Sequence, residues 1–229
     1  MRTATPMHDS WRSGWKYHQL VITLLILLLL HPYVEHRDIF LKGLLMTVLL
    51  SGIYAVSKQT RALVLACLIG IPTLVAHAVS IVLIHPYAEM AARVGTVLFM
   101  ALTTIVIFRY ILLEPEVTSD VLSGAVCVYL LSGLTWSSLY ILIDTIQPGS
   151  FHVSHSQNSG DAMTYSDFLF FSFATLTTVG YGDITPVTTH ARSFAIVEAV
   201  YGVLYSAILI ARLVGLYRPC YRGLGDRQR

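Results

Sequence analysis

The chain has 229 residues and a formal net charge of +2, with 55% hydrophobic and 12% charged residues, where a soluble domain carries about a quarter charged residues. This composition excludes an ordinary soluble domain and points to a membrane protein. Basic residues sit at segment ends rather than in a patch, so nothing argues for nucleic acid as a partner. Three isolated cysteines, Cys67, Cys127 and Cys220, indicate neither a disulfide framework nor a metal knuckle and read as small apolar fillers.

Crossing about 30 Å of hydrocarbon takes roughly 20 mostly apolar residues. Runs of that kind predict six membrane helices, over 15–33, 39–56, 62–84, 90–113, 118–146 and 192–217, with a shorter amphipathic helix over 165–177. The first run follows basic residues as a signal-peptide core does. No small-residue cleavage site follows it, however, and Trp15, Tyr17 and Tyr33 bracket it as interfacial aromatics do. Gly70 and Pro72 predict a kink in the third helix. The strings LLLLHPYVE (27–35) and IVLIHPYAE (81–89) end two apolar runs alike, about 54 residues apart. They are either a duplicated helical hairpin or the recurrent use of Pro to stop a helix and Tyr to anchor it.

With a cytoplasmic N-terminus, eleven of the fifteen Lys and Arg residues fall inside and four, Arg37, Lys42, Arg93 and Arg192, fall outside. That split fits the positive-inside rule and puts both termini in the cytoplasm. Residues 147–164, rich in Gly, Ser and Asn, predict an exposed, mobile polar loop.

After the short helix, Thr178-Val179-Gly180-Tyr181-Gly182 cannot continue as helix without cost, and glycine readily takes the left-handed conformations that alternate carbonyl directions require. Backbone carbonyls at this depth are tolerated only when buried in protein or lining a watery path. A row of them, with the Thr178 hydroxyl at its inner end, replaces the hydration shell of a dehydrated monovalent cation. The preceding helix aims its partial negative end at that cation.

Thr175, Thr177, Thr178, Val179, Gly180, Tyr181, Gly182 and Asp183 resemble the signature of tetrameric potassium channels. The resemblance is specific over 168–186, good over about 118–217 and architectural only over 1–113. It implies an all-α membrane fold: six transmembrane helices, a re-entrant pore helix and a selectivity-filter loop, in the layout of voltage-gated channels. It also implies a four-helix sensor-like domain over 1–113 and a pore domain over 114–229. One signature per chain implies a homotetramer, so the partners are three further copies, K⁺ and membrane lipids. K⁺ sits at Thr178, Val179, Gly180 and Tyr181, and no cofactor is expected. Tyr181 braces the filter, and Asp183 at its mouth attracts cations, ties the filter down, or is simply a solvated loop acid. Phe170 and Phe171 stand where many members place hydrogen-bonding tryptophans, and Ala174 where a bacterial pore-only member has a glutamate, so the brace behind the filter differs here.

Gly202, twenty residues beyond Gly182, resembles the family's hinge glycine, though a packing glycine accounts for it equally. Val203, Ser206, Ile210 and Val214 recur at spacings of three and four and share one helical face. That face is the expected cavity lining, with Ile210 or Val214 as an apolar constriction. Glu198 lies inside a span, where an ionisable residue suggests function by default; a structural brace to Ser172 or Thr175 is preferred to an ion site. Arg212 reads as a snorkelling interfacial residue, and the tail arginines as topology charges or contacts to anionic lipid.

The fourth run carries only Arg93 and Arg109, whereas a voltage sensor needs arginines at every third position to harvest about 2.3 kcal/mol per charge per 100 mV. A conventional voltage sensor is therefore excluded. His31, His36, His85, His152, His155 and His190 all fall on the predicted outer side and suggest modulation by external pH. The resulting expectation is a potassium-selective, non-voltage-gated channel of the cytoplasmic membrane. The alternatives are a weakly selective cation channel or a regulatory or scaffold subunit. No nucleophile, base and orienting group stand at recognisable spacing, so an enzyme is not expected.

Overall fold

The structure, a computed structural model, describes residues 8–34, 38–56, 60–82, 86–115, 117–154 and 163–216. Its helices are α1 His8–Val34, α2 Asp38–Val56, α3 Thr60–Val82, α4 Pro86–Leu113, α5 Ser119–Ile146, α6 Tyr165–Leu176 and α7 Thr189–Leu216, with strands β1 Phe151–Val153 and β2 Ile184–Pro186. Among the described residues, four stretches are long and apolar enough to cross a membrane: Thr60–Val82, Tyr87–Leu113, Ser119–Ile146 and Thr189–Arg212. Shorter apolar stretches, Tyr17–His31 and Lys42–Ala55, lie in α1 and α2.

The first four helices pack along apolar stripes at helical spacing. Leu20, Leu24 and Leu27 of α1, Leu45 and Val48 of α2, and Met100, Ile107 and Ile111 of α4 form one core with Val121, Val128 and Leu131 of α5. Thus α5 belongs to both halves of the molecule. Phe99 of α4 fills the space above two glycines: a Cβ on Gly52 or on Gly70 would lie 2.9 Å from its ring. Gly70 is accordingly a close-packing position, and α3 runs through Pro72 as one helix.

Two expectations change. The first His-Pro-Tyr corner lies within the last turns of α1, whereas Pro86 and Tyr87 of the second open α4. The copies therefore serve opposite helix ends, the second using Pro where its missing N–H costs nothing. Residues 147–154 are not a free loop. Ser150 donates its N–H to Asp144 Oδ1 at 3.1 Å, and its carbonyl accepts from Val187 at 2.8 Å. The next three residues then pair antiparallel with β2, Phe151 opposite Pro186 and Val153 opposite Ile184. The turn satisfies backbone groups that an irregular loop would leave bare.

Candidate functional site: the strip after helix α6

The site is built from the start of α6. Thr164 and Asp167 form a reciprocal capping box, the Thr164 hydroxyl accepting from the Asp167 N–H while the Asp167 carboxylate accepts from the Thr164 N–H at 2.8 Å. That arrangement satisfies two of the helix's orphan donors. The buried face of α6 carries Phe168, Leu169, Phe171 and Ser172.

The other end is a complete Schellman stop. Thr178 N–H donates to the Thr175 carbonyl at 3.0 Å and Val179 N–H to the Ala174 carbonyl at 2.9 Å, with Gly180 N–H sharing that carbonyl at 3.1 Å. The residue forced left-handed is Thr178, at φ 61°. Glycine is the usual occupant of that position, and a β-branched residue there is a true outlier. Such strain costs about 1–3 kcal/mol.

The left-handed geometry then recurs at every second residue, with Gly180 at φ 54° and Gly182 at φ 82°. Alternation of this kind turns successive carbonyls away from the zigzag of a strand. In a single chain the strip is open, all of residues 177–183 being exposed, with Val179 at 54% and Tyr181 at 69%.

Its supports are specific. The Tyr181 ring stacks on Phe170, centroids 5.4 Å apart and 18° between planes. Phe171 instead packs edge-on against Tyr140 and Phe151. Aromatic faces thus stand where hydrogen-bonding indoles were compared. The Asp183 carboxylate accepts from the Ile184 N–H at 3.0 Å, and its carbonyl accepts from Ser154 at 2.6 Å. The strip's exit is thereby tied to the β1–β2 pair.

Glu198 of α7 is fully buried behind α6. Ser172 donates to its Oε1 at 2.6 Å, and Tyr140 donates to Oε2. A buried carboxyl is tolerable only with such partners. The Ser172 hydroxyl has a second acceptor, the Gly133 carbonyl at 2.8 Å.

On α7, Ala191, Glu198, Gly202 and Tyr205 face the rest of the chain, and Tyr205 donates to the Ala125 carbonyl at 2.6 Å. Gly202 lies in mid-helix, where a Cβ would run into the Leu176 carbonyl oxygen at the end of α6. Close approach accounts for that glycine. Val203, Ser206, Ile210 and Val214 are all exposed, and only 17% of the α7 span is buried, against 50% for α5. Arg212 does not snorkel freely: Nε donates to the Ile111 carbonyl at 3.1 Å and Nη2 to that of Glu114 at 2.6 Å. It thereby satisfies carbonyls at the end of α4.

Among the described residues, the histidines expected to sense protons are not brought together. His31 is buried, its ring 4.8 Å from that of Tyr165, while His190 is exposed in the first turn of α7. His36, His85 and His155 lie outside the described residues, as do Arg218, Arg222, Arg227 and Arg229. The sequence reading passed over His77, which is buried in α3 and bonded to Thr96 across helices at 2.9 Å. The signal was available, an ionisable residue deep in an apolar run.

Residues 122–218, covering α5, α6, the strip and α7, match the ion channel family. The chain is 37% identical over 67 residues to "Two pore potassium channel c" of Oryza sativa subsp. japonica, covering 29% of this chain and 14% of that one. It is 33% identical over 87 residues to "Protein LctB" of Bacillus caldotenax, covering 38% of this chain and 64% of that one. It is 29% identical over 86 residues to "Potassium channel KOR1" of Oryza sativa subsp. japonica, covering 38% and 9%. The chain thus spans less than two thirds of the length of these relatives. No solved structure matches it.

Proposed function

We propose that four copies of this chain surround a common axis and conduct K⁺ passively across a cell membrane, with Thr178 to Gly182 from each copy forming the filter. The observation that carries this reading is the left-handed alternation at Thr178, Gly180 and Gly182 directly after a helix C-terminus. Alternation aims carbonyls toward one line, and the helix end adds partial negative charge there. A strip exposed in one chain fits closure by neighbours, and the ion channel match with potassium-channel relatives supports the ion.

In this reading residues 114–229 are the pore domain and 1–113 a four-helix unit without regular gating charges. Val203, Ser206, Ile210 and Val214 line the cavity below the filter. Both termini are cytoplasmic, which the positive-inside split supports. Opening is not steeply voltage-dependent, since Arg93 is paired with Glu89 at 2.6 Å and Arg109, near the far end of α4, is the one other arginine of that helix.

A weakly selective cation channel is the second reading, favoured by one observation: Tyr181 is held by stacking on Phe170 rather than by a hydrogen bond from it. Stacking fixes the ring plane less tightly than a directional bond. Reversal potentials of the reconstituted chain in opposed K⁺ and Na⁺ gradients decide between the two. The first reading requires a reversal near the K⁺ equilibrium potential. A reversal midway supports the second, and absence of any flux from the purified protein leaves a regulatory subunit.

A further inference from the structure

The stripe that α7 turns to the rest of the chain changes partner along its length. Glu198 accepts from Tyr140 and Ser172, Tyr201 meets Ser132 at 2.6 Å, and Tyr205 donates to the Ala125 carbonyl at 2.6 Å. The first part of the helix is thus fastened to α5 and α6. Among the described residues, the next polar contact between α7 and another helix is that of Arg212, about two turns further on, and it goes to α4.

The sequence explains why acceptors stand there. The Ile111 carbonyl would take the N–H four residues on, and that residue is Pro115, which has none. The Tyr110 carbonyl, one position earlier, has its donor in the Glu114 N–H at 3.1 Å. Arg212 Nε supplies what proline cannot, at 3.1 Å from the Ile111 carbonyl, and Nη2 reaches the Glu114 carbonyl at 2.6 Å. A guanidinium offers both donors from one plane and brings positive charge to the partially negative end of α4. At about 3.6 residues per turn, Arg212 stands nearly opposite Val203, Ser206, Ile210 and Val214 on α7. Ile210 and Val214, which flank it in sequence, are 61% and 69% exposed.

We propose that Arg212 is a tether for the gate: it holds the end of α7 outward against α4, so the pore is open while the tether is made and closes when it is released. This rests on the channel reading, in which Ile210 and Val214 of four copies face a common axis. Two forces then act on the same stretch of each α7. Apolar faces turned to a watery path are drawn together across the axis, and the constriction they form excludes water and ions. The two Arg212 bonds pull the other way, toward the four-helix unit. A unit without regular gating charges thereby still sets the gate, because a shift of the end of α4 is passed to α7 through main-chain acceptors.

The test is single-channel recording of the full chain in planar lipid bilayers. Arg212→Met is expected to lower the open probability by about tenfold, the factor for one charge-assisted hydrogen bond. Unitary conductance and the reversal potential in K⁺/Na⁺ gradients stay as in the wild type, because the strip is untouched. Arg212→Lys keeps the charge but not the planar fork and is expected to lower the open probability less. Adding Ile210→Ser and Val214→Ser to Arg212→Met removes the apolar attraction across the axis and is expected to restore opening, which a misfolded chain could not do. An open probability in Arg212→Met equal to or above that of the wild type overturns the tether. So does a loss of opening that the two serines leave unrelieved, or a shifted reversal potential, which would place the effect of Arg212 at the strip. A wild type that conducts under no condition overturns the channel reading and the tether with it, whereas the other outcomes leave that reading standing.

Discussion

The two halves of the chain are held together by different kinds of contact. In α1–α4, hydroxyls mostly turn back on their own helices: Thr23 to Gln19, Thr47 to Gly43, Thr103 to Phe99 and Thr104 to Met100. Between those helices the packing is leucine, isoleucine and the Phe99 ring over two glycines. In α5–α7 hydroxyls such as Thr135 and Ser193 turn back in the same way, but polar groups also reach across between these helices: Ser172 and Tyr140 to Glu198, Tyr201 to Ser132 at 2.6 Å, and Tyr205 to Ala125. Apolar contacts tolerate small rearrangements, whereas directional bonds fix position. The half that carries the three left-handed residues Thr178, Gly180 and Gly182 is also the half with these directional bonds between its helices. The first half departs from that pattern at His77–Thr96, Lys42–Ser80, His18–Ser123, Arg93–Thr145 and the Arg212 contact to the end of α4.

The sharpest way to break this contrast is at the strip itself. Gly180→Val puts a β-branched side chain at φ 54°, adding about 1–3 kcal/mol of backbone strain beyond that of Thr178. The K⁺ over Na⁺ preference, read from reversal potentials, is expected to fall by about tenfold or more, since each 1.4 kcal/mol is tenfold. A variant that keeps wild-type selectivity would remove the strip as the filter.

Next in size is the brace. Glu198→Leu leaves the buried Tyr140 hydroxyl without its acceptor, while Ser172 keeps the Gly133 carbonyl. One buried unsatisfied group together with a lost hydrogen bond costs about 2 kcal/mol. Glu198→Gln retains an acceptor and is expected to lose less than half as much. Equal thermal midpoints for the two variants in detergent would show that the bonds are incidental to burial.

How much of this was readable beforehand follows from the same division. The limits of α5, α6 and α7 lie within three residues of the apolar runs, and the strip announced itself by Gly-Tyr-Gly after a helix. The start of α1 at His8 was not readable, because residues 8–14 are not apolar and helix there outlasts hydrophobicity. Arg212 looked interfacial because its acceptors are backbone carbonyls 101 and 98 residues away, and every residue has a carbonyl. The β1–β2 pair was hidden for a related reason, since three-residue strands carry almost no periodicity. Glu198 was legible as an anomaly and its partner Ser172 as a neighbour. Tyr140, 58 residues earlier, was not.

The smallest predicted effects compare one substitution in both halves. Gly202→Ala drives a methyl into the Leu176 carbonyl oxygen, a backbone atom at the end of α6 that cannot step aside without moving the strip. Overpacking of this kind costs about 1–3 kcal/mol. Gly43→Ala in α2 meets nothing within 4 Å and exchanges a residue poor in helix propensity for the best, a gain of about 0.5–1 kcal/mol. The signs are therefore opposite for the same added methyl, and thermal midpoints of the two variants in one detergent read them directly. Because the Gly202 clash is with the helix that leads into the strip, the channel reading requires that variant also to alter selectivity, while Gly43→Ala leaves it unchanged. If Gly202→Ala were neutral in both measurements, α7 would be free to shift away from α6, and the glycine would be a point of bending rather than of close packing.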